Sequence, residues 1–162
     1  MGMIEIRSLT KDDELDDLIV LSREFFAEYE SHHEDFFEID SLDDDDIVAY
    51  FSRWMEDDDG ETFIALTGDR IVGYMTVHVR VQPNYWKVKQ VGEISGLMVQ
   101  TAYRQRGIAG RLLARAKDFF EKKGVTYFTV YTAVGNRTAI EFYKRSGLSP
   151  LYTTMMGEIT RG

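Results

Sequence analysis

The chain has 162 residues, which suits one domain with a substantial core and is too short for two ordinary ones. Apolar residues make up 44% of it and aromatic residues 13%, which is typical of a folded globular protein and not of a disordered one. The absence of cysteine excludes disulfides, thiolate metal sites and cysteine nucleophiles. No apolar run reaches about 18 residues, and the N-terminus lacks the pattern of a signal peptide. We therefore expect a cytoplasmic protein that does not associate with a membrane.

The formal net charge of −9 is unevenly distributed. Residues 1–60 carry 4 Lys/Arg and 21 Asp/Glu, a net −17, whereas residues 61–162 carry 15 Lys/Arg and 7 Asp/Glu, a net +8. This asymmetry favours a cationic partner for the N-terminal part. The simpler alternative is that the acids only keep the N-terminal helices soluble. Because the molecule as a whole repels phosphate, we expect no nucleic-acid partner.

The first third of the chain predicts one strand and two helices. Residues 3–9 alternate between apolar and polar side chains, as in a half-buried strand. An apolar face at helical spacing predicts a helix over residues 11–30, which Thr10 and Asp13 would open with a capping box. A second helix is predicted to begin at Ser41, with Asp43–Asp46 either capping it or attracting a cationic ligand.

The remainder of the chain predicts a sheet with crossover helices. The runs TFIALTG, IVGYMTVHVRV and VGEISGLMVQ indicate three strands, and a helix is expected over residues 107–122. A strand in VTYFTVYTA, a helix over about 136–147 and a last strand in PLYTTMMGEI follow. Hairpins followed by crossover helices predict one α/β domain over residues 1–162, with a central mixed sheet flanked by about four helices. The strand–helix–strand unit over residues 91–131 should be parallel and right-handed.

The stretch YRQRGIAGRLL, residues 103–113, begins the third predicted helix against local preference. Its arginines lie at the helix N-terminus, which is already the positive end of the helix dipole. Gly107 and Gly110 each weaken a helix by about 1 kcal/mol relative to alanine. Such a beginning is favourable when the N–H groups of the loop and the first turn bind an anion. The stretch favours a diphosphate site, and a solvated basic loop is the alternative.

Two signatures in this half of the chain resemble those of the GNAT superfamily of acetyl-CoA-dependent N-acetyltransferases. Arg104, Gly107 and Ala109 fit the pattern Q/R-x-x-G-x-G/A, which follows an apolar strand, GEISGLMV, as in the family. Downstream, NRTAIEFYKRSGL fits the family's second signature, N-x-x-A-x-x-x-Y-x-x-x-G-F/L, at residues 136–148. The order of elements also agrees over nearly the whole chain. The N-terminal third, where acceptors usually bind, resembles the family in element order alone.

The resemblance implies how acetyl-CoA would bind. Part of the fourth strand would pair with the pantetheine arm where neighbouring strands separate, and an N–H near Met98 would polarise the thioester carbonyl. Backbone N–H groups of residues 105–110 would hold the diphosphate, two arginine side chains would add charge, and Asn136 would contact the cofactor arm. The implied cofactor-binding residues are Leu97, Met98, Val99, Arg104, Gln105, Arg106, Gly107, Ile108, Ala109, Gly110 and Asn136.

Acetyl transfer to an amine needs a base, because an alkyl amine is mostly protonated at neutral pH. The resemblance implies Glu93, fourteen residues before Gly107, as that base; alternatively, Glu93 is an outward-facing strand residue paired with Lys87 or Lys89. It implies Tyr143 as the acid that protonates the leaving thiolate; alternatively, Tyr143 is a core aromatic. We expect direct transfer through a tetrahedral intermediate, which agrees with the lack of cysteine for an acyl-enzyme.

Other candidate residues carry weaker signals. His32 and His33 share no face of a regular element and lack a third ligand, so we predict a solvated loop and no metal. His78 alternates along a strand and suits a core or cleft position. Tyr85 and Trp86 are expected to line the acceptor cleft or to form a dimer contact.

The sequence thus predicts an enzyme that transfers the acetyl group of acetyl-CoA to a primary amine. The acidic N-terminal part favours a cationic acceptor, such as a polyamine, an aminoglycoside-like compound, or a lysine or N-terminal peptide. The alternative is a non-catalytic acyl-CoA-binding regulatory module of the same fold. Because dimers are common in the family, we expect a homodimer.

Overall fold

A five-stranded sheet in the order β1-β2-β3-β4-β5 forms the centre of the computed structural model, which describes residues 2–160. The strands are β1 (Ile4–Ser8), β2 (Gly60–Thr67), β3 (Arg70–Val81), β4 (Gln90–Val99) and β5 (Phe128–Val130). The helices are α1 (Asp16–Glu30), α2 (Asp44–Glu56), α3 (Ile108–Lys122) and α4 (Arg137–Arg145). The first four strands are antiparallel neighbours, whereas β4 and β5 run parallel on either side of α3 in the chain. The predicted fold class, mixed sheet and parallel β4–α3–β5 unit are confirmed.

Both faces of the sheet are buried, and this accounts for the nearly continuous apolar runs of β2 and β3. Along β2, Phe63 and Ala65 pack in the core under α3, whereas Ile64 and Leu66 pack in the core under α1 and α2. Each of these four side chains is at most 5% exposed. The alternation of strand side chains therefore fixes which helices cover which face.

Helix α1 begins five residues later than the sequence pattern predicts, at Asp16. The carboxylate of Asp13 accepts the Thr10 N–H at 2.8 Å, but both of its oxygens also bind the Arg7 guanidinium, at 2.7 and 2.8 Å. This arrangement closes a turn next to β1 and does not cap a helix. The capping box lies instead at α2, where Asp43 and Asp46 exchange side-chain and backbone bonds at 3.0 Å.

The C-terminal part of the sheet is shorter than predicted. VTYFTVYTA contributes only the three residues of β5, and no strand forms in residues 149–160. The predicted last strand is therefore wrong in this part of the chain. Its apolar side chains, among them Leu151 and Met155, are 74% and 86% exposed. Because β5 has only three residues, it offers few positions at which another strand could form hydrogen bonds. Strand propensity alone does not make a segment a strand when no neighbouring strand pairs with it.

Helix α3 is tied to the far edge of the sheet by two arginines. Arg111 donates to the carbonyl of Ile4 at 3.0 Å, and Arg115 donates to the carbonyl of Ile6 at 3.2 Å. Both carbonyls belong to β1, an edge strand that pairs with β2. The predicted single-domain organisation stays a prediction, and its end residues 1 and 162 lie outside the described part.

Candidate active site

A cavity of about 530 Å³ opens between the helices α1 and α2 on one side and the strands β4 and β5 with α4 on the other. The α1 and α2 side contributes mainly aromatic and aliphatic groups. The other side contributes residues of β4, the segment after β5, and the first turns of α4. The lining residues from that second side are Glu93, Ile94, Ser95, Gly96, Leu97, Val130, Tyr131, Thr132, Asn136, Ala139 and Tyr143.

Strand β4 has a stretch of unpaired edge beside this cavity. It pairs with β3 as far as Val99, but its ladder with β5 covers Gly92–Ile94 alone. Over residues 95–99 no strand of the described chain pairs with the β5 side of β4. The register against β3 also shifts between Ile94 and Gly96, so Ser95 forms a bulge. An edge of this kind presents N–H and C=O groups to an extended ligand.

The loop before α3 has the backbone conformation that an anion site needs. Gln105 and Gly107 adopt positive φ angles of 62° and 78°. Helix α3 begins at Ile108 with no side-chain cap and no acid in its first turn. Among the described residues, no backbone carbonyl accepts the N–H groups of Gln105 or of residues 107–110. A Cβ at Gly107 or Gly110 would meet no atom within 4 Å, so this backbone borders open space. These donors fit a diphosphate.

The arginine side chains of this loop face several directions. Arg104 donates to the Val99 carbonyl at 2.9 Å and to the Glu28 carboxylate on α1 at 2.7 Å. The guanidinium of Arg106 lies over the Tyr103 ring, 5.3 Å from its centroid. Arg104 thus joins the loop to α1, and the backbone of the loop supplies the donors that face open space.

Glu93 projects from β4 into the cavity with 16% of its side chain exposed. Arg80 on β3 donates to its Oε2 at 2.9 Å, and the Nε2 of His78 lies 3.9 Å from its Oε1. Lys89 instead donates to the carbonyl of Asn84 in its own loop. The suggested pairing of Glu93 with Lys89 is therefore wrong. The residue directly opposite Glu93 on β3 is His78, and Arg80 lies two residues further along that strand. The sequence alone does not reveal this relation.

His78 occupies a cleft position next to Glu93. Its ring stacks on Trp54, with centroids 4.8 Å apart, and Trp54 lies against Gly60 on β2. Burial lowers the pKa of His78, and the nearby Glu93 opposes this effect. Its Nδ1 is buried without a hydrogen-bond partner in the described structure. His78 is thus a neutral imidazole at neutral pH, held by packing beside the candidate base.

Tyr143 is buried on α4, 6% exposed, and lines the cavity. Burial raises the pKa of its hydroxyl above the usual value, so the group is protonated at neutral pH. Its ring packs among core residues, as the alternative reading of Tyr143 expects, and its position on the cavity also agrees with an acid role. Nearby, Asn136 caps α4 by accepting the Ala139 N–H at 3.2 Å.

One polar pair in the cavity was not expected from the sequence. The hydroxyl of Tyr50 on α2 lies 2.6 Å from the Oγ of Ser95 in the β4 bulge. Tyr50 fits the apolar face of α2 and Ser95 sits in an apolar strand, so neither residue stands out in the sequence. The pair joins the two sides of the cavity at the position between Glu93 and Leu97.

Of the remaining candidate residues, His32 lines the cavity, and the others lie away from it or have structural roles. Tyr85 and Trp86 are 81% and 54% exposed on the loop before β4 and do not line the cavity. His33 accepts the N–H groups of Asp35 and Phe36 through its Nδ1. Within residues 2–160 there is no cluster of His, Asp and Glu with a metal-binding arrangement. Nor does any helix in that range combine the length and apolarity needed to cross a bilayer.

Comparison with known proteins identifies the family. The family described as "Acetyltransferase (GNAT) family" matches residues 22–148, so the chain belongs to it. An "Uncharacterized N-acetyltransferase MJ1207" of Methanocaldococcus jannaschii is 30% identical over 144 residues, 88% of this chain and 59% of that protein. "N-alpha-acetyltransferase 30" of Schizosaccharomyces pombe is 30% identical over 102 residues, 62% of this chain and 63% of that protein. The chain spans about three fifths of the length of these relatives.

Solved structures share the whole fold. An aminoglycoside acetyltransferase, AAC(6')-Iy, bound to a bisubstrate analogue of CoA and acetylneamine, superimposes with a TM-score of 0.78 at 19% identity, covering 99% of this chain and 100% of its own. A point mutant of the BH1408 protein of Bacillus halodurans superimposes with a TM-score of 0.83 at 18% identity, covering 96% of this chain and 99% of its own. At these identities the likeness establishes the fold alone. The expected GNAT identification is confirmed.

Proposed function

We propose that this chain transfers the acetyl group of acetyl-CoA directly to a primary amine. The observation that carries the proposal is that one cavity joins the unpaired edge of β4, Glu93 and Tyr143, next to a loop in which no backbone carbonyl accepts the N–H groups of Gln105 and residues 107–110. A family that transfers acetyl groups and structural neighbours solved with CoA support it.

The cofactor would bind along the predicted residues. The backbone of Leu97, Met98 and Val99 offers edge groups to the pantetheine arm, although the Val99 carbonyl already accepts a bond from Arg104. The N–H groups of residues 105–110 would hold the diphosphate, and Asn136 would approach the arm while it caps α4. Both arginines of the loop would add positive charge near the phosphates.

The chemistry would use two residues on the cavity wall. Glu93 would take the proton that the amine loses, through its Oε1, because Arg80 occupies Oε2. The amine nitrogen then bonds to the acetyl carbon, and an N–H of β4 near Met98 would stabilise the negative oxygen of the tetrahedral intermediate. As the carbon–sulfur bond breaks, the hydroxyl of Tyr143 would give its proton to the leaving sulfur. The second proton that the nitrogen loses on becoming an amide would return to the Tyr143 oxygen.

The acidic N-terminal part supports a cationic acceptor. Its net charge of −17 raises the local concentration of ammonium compounds, which include polyamines, aminoglycoside-like compounds, and lysine or N-terminal peptides. Several structural neighbours are aminoglycoside acetyltransferases. The rival function is a non-catalytic acyl-CoA-binding module of the same fold. Cytoplasmic location and a homodimer stay predictions.

The test is release of free CoA thiol from acetyl-CoA across a panel of amines, with a no-amine control and two variants. Tyr143→Phe keeps the buried ring and removes only the hydroxyl, so we expect kcat to fall at least tenfold while acetyl-CoA affinity stays nearly constant. Tyr127→Phe, at a residue that is 61% exposed and outside the cavity, is the matched control. Glu93→Gln should shift the activity to higher pH, where the amine is already deprotonated. A panel without turnover, in which acetyl-CoA still raises the Tm, would favour the rival function.

A further inference from the structure

The α1 side of the cavity has a distinct composition. Phe25, Phe26 and Tyr29, here called the aromatic wall, all line it. The Phe25 ring lies 5.2 Å from that of Phe26 and 5.5 Å from that of Tyr29, measured between centroids. Their spacing in the sequence places them on one side of the helix. The proposed function assigns the β4 and α4 side to acetyl-CoA, which leaves the aromatic wall to the acceptor.

Every carboxylate that lines this cavity already has a protein partner. Glu28 binds Arg104 at 2.7 Å, and Glu93 binds Arg80 at 2.9 Å. Asp46 accepts the N–H of Asp43 in the capping box at 3.0 Å. The Oε1 of Glu93 and the exposed carboxylate of Asp46, whose partner is a neutral N–H, are the acceptors left for ammonium groups. An acceptor with several ammonium groups would lose water from most of them here without gaining a carboxylate for each. The interior of the cavity therefore disfavours a polycation, even though the negative charge of the N-terminal part attracts cations from a distance.

Resting on the proposed function, we infer that the acceptor is a primary amine whose neighbouring carbon skeleton is a large apolar or aromatic group. The aromatic wall would bury that group, while a single ammonium is drawn in by the acidic surface and deprotonated at Glu93. The same chemistry occurs in a free arylalkylamine and at the N-terminus of a peptide whose first side chain is large and apolar. Burying such a group stabilises the complex enough for a preference of about tenfold or more.

The first arm of the experiment compares acceptors by kcat/KM in the thiol-release assay. The probes are 2-phenylethylamine, ethylamine, spermidine, kanamycin, and two peptides that differ only in beginning with Phe or Gly. We expect 2-phenylethylamine to exceed ethylamine, and the Phe peptide to exceed the Gly peptide, each by about tenfold or more. Whichever of 2-phenylethylamine and the Phe peptide has the higher kcat/KM shows whether the acceptor is a free amine or a peptide N-terminus. Spermidine or kanamycin as the best acceptor would overturn the inference and leave the proposed function standing.

The second arm uses a matched pair of variants. Phe26 lines the cavity without belonging to either buried core cluster, so Phe26→Ala should fold. Phe36 is 65% exposed in the loop after α1 and does not line the cavity, so Phe36→Ala is the control. We expect Phe26→Ala to raise the KM for 2-phenylethylamine about tenfold and to lower the ratio of its kcat/KM to that of ethylamine, whereas Phe36→Ala changes neither quantity. Equal behaviour of the two variants would refute the role of the aromatic wall.

A thermal shift in the presence of CoA separates the two proposals. A rise in Tm with 2-phenylethylamine, lost in Phe26→Ala, would support the aromatic wall even if no thiol were released. That combination would refute the proposed transfer reaction alone. If 2-phenylethylamine neither raises the Tm nor reacts, while spermidine does either, the aromatic wall is not the acceptor site. No response to any amine in either assay would overturn both proposals.

Discussion

Replacing Gly107 by alanine separates the stability of the α3 loop from its role in binding. Gly107 has a φ of 78°, a left-handed conformation that costs a residue with a Cβ about 1–2 kcal/mol. Gly124, just after the same helix, has a φ of 71° and equally no atom within 4 Å of an added Cβ. The Gly107→Ala and Gly124→Ala variants should therefore lose similar stability, roughly 2–4 °C in Tm per kcal/mol for a chain of this size.

Their responses to acetyl-CoA should differ. If residues 105–110 hold the diphosphate, a methyl group at Gly107 enters the space that the phosphate needs, whereas one at Gly124 lies at the far end of α3. A tenfold loss of affinity removes about 1.4 kcal/mol of ligand stabilisation at a fixed excess of acetyl-CoA. The assay is a thermal melt of each variant with and without acetyl-CoA. An equal rise in Tm for both variants would refute the diphosphate assignment.

Two further predictions concern stability. Hydrogen bonds from Arg7 lower the pKa of Asp13 to about 2, so their contribution is present above the ordinary carboxyl pKa and is lost as the pH falls towards 2. Urea unfolding at about pH 7 and pH 2 measures this contribution. Between the two pH values, the free energy of unfolding of the wild type should fall by roughly 1–2 kcal/mol more than that of Asp13→Asn. Equal falls for both proteins would contradict a stabilising Arg7–Asp13 pair. In Gly60→Ala the new Cβ would lie 1.9 Å from a ring carbon of Trp54, which must move off His78. We expect the free energy of unfolding to fall by roughly 1–3 kcal/mol and the tryptophan fluorescence to change. An unchanged fluorescence spectrum would count against the stacking of Trp54 on His78.

Most of the sheet could be predicted because its signals are local or periodic. The strands β2, β3 and β4 are apolar on both faces, and the two signature stretches fix where α3 and α4 begin. The start of α1 could not be read in this way, because Asp13 is a good capping residue that binds Arg7 instead. The prediction of a last strand is wrong for a related reason. A strand forms only when another segment pairs with it, and β5, with three residues, offers little to pair with.

The candidate site was predictable as a backbone feature and less so as a set of side-chain contacts. Glycine positions and an arginine-rich helix start predict from sequence alone a loop that could hold an anion, and the structure shows positive φ angles and open space there. The partners of Glu93 follow from the register between β3 and β4, which places His78 opposite it and Arg80 nearby. Similarly, the Tyr50–Ser95 bond joins residues 45 positions apart. Tertiary packing determines these contacts, so no local pattern contains them.

The two arginines that join α3 to β1 have a consequence for how molecules of this protein meet each other. An edge strand with unoccupied carbonyls is a template on which a strand of another molecule can add. Here the guanidinium groups of Arg111 and Arg115 already occupy the carbonyls of Ile4 and Ile6. An incoming strand would have to displace two charged donors that are attached to a helix. The helix that begins at Ile108 thereby also makes the β1 edge a poor template for the addition of another strand.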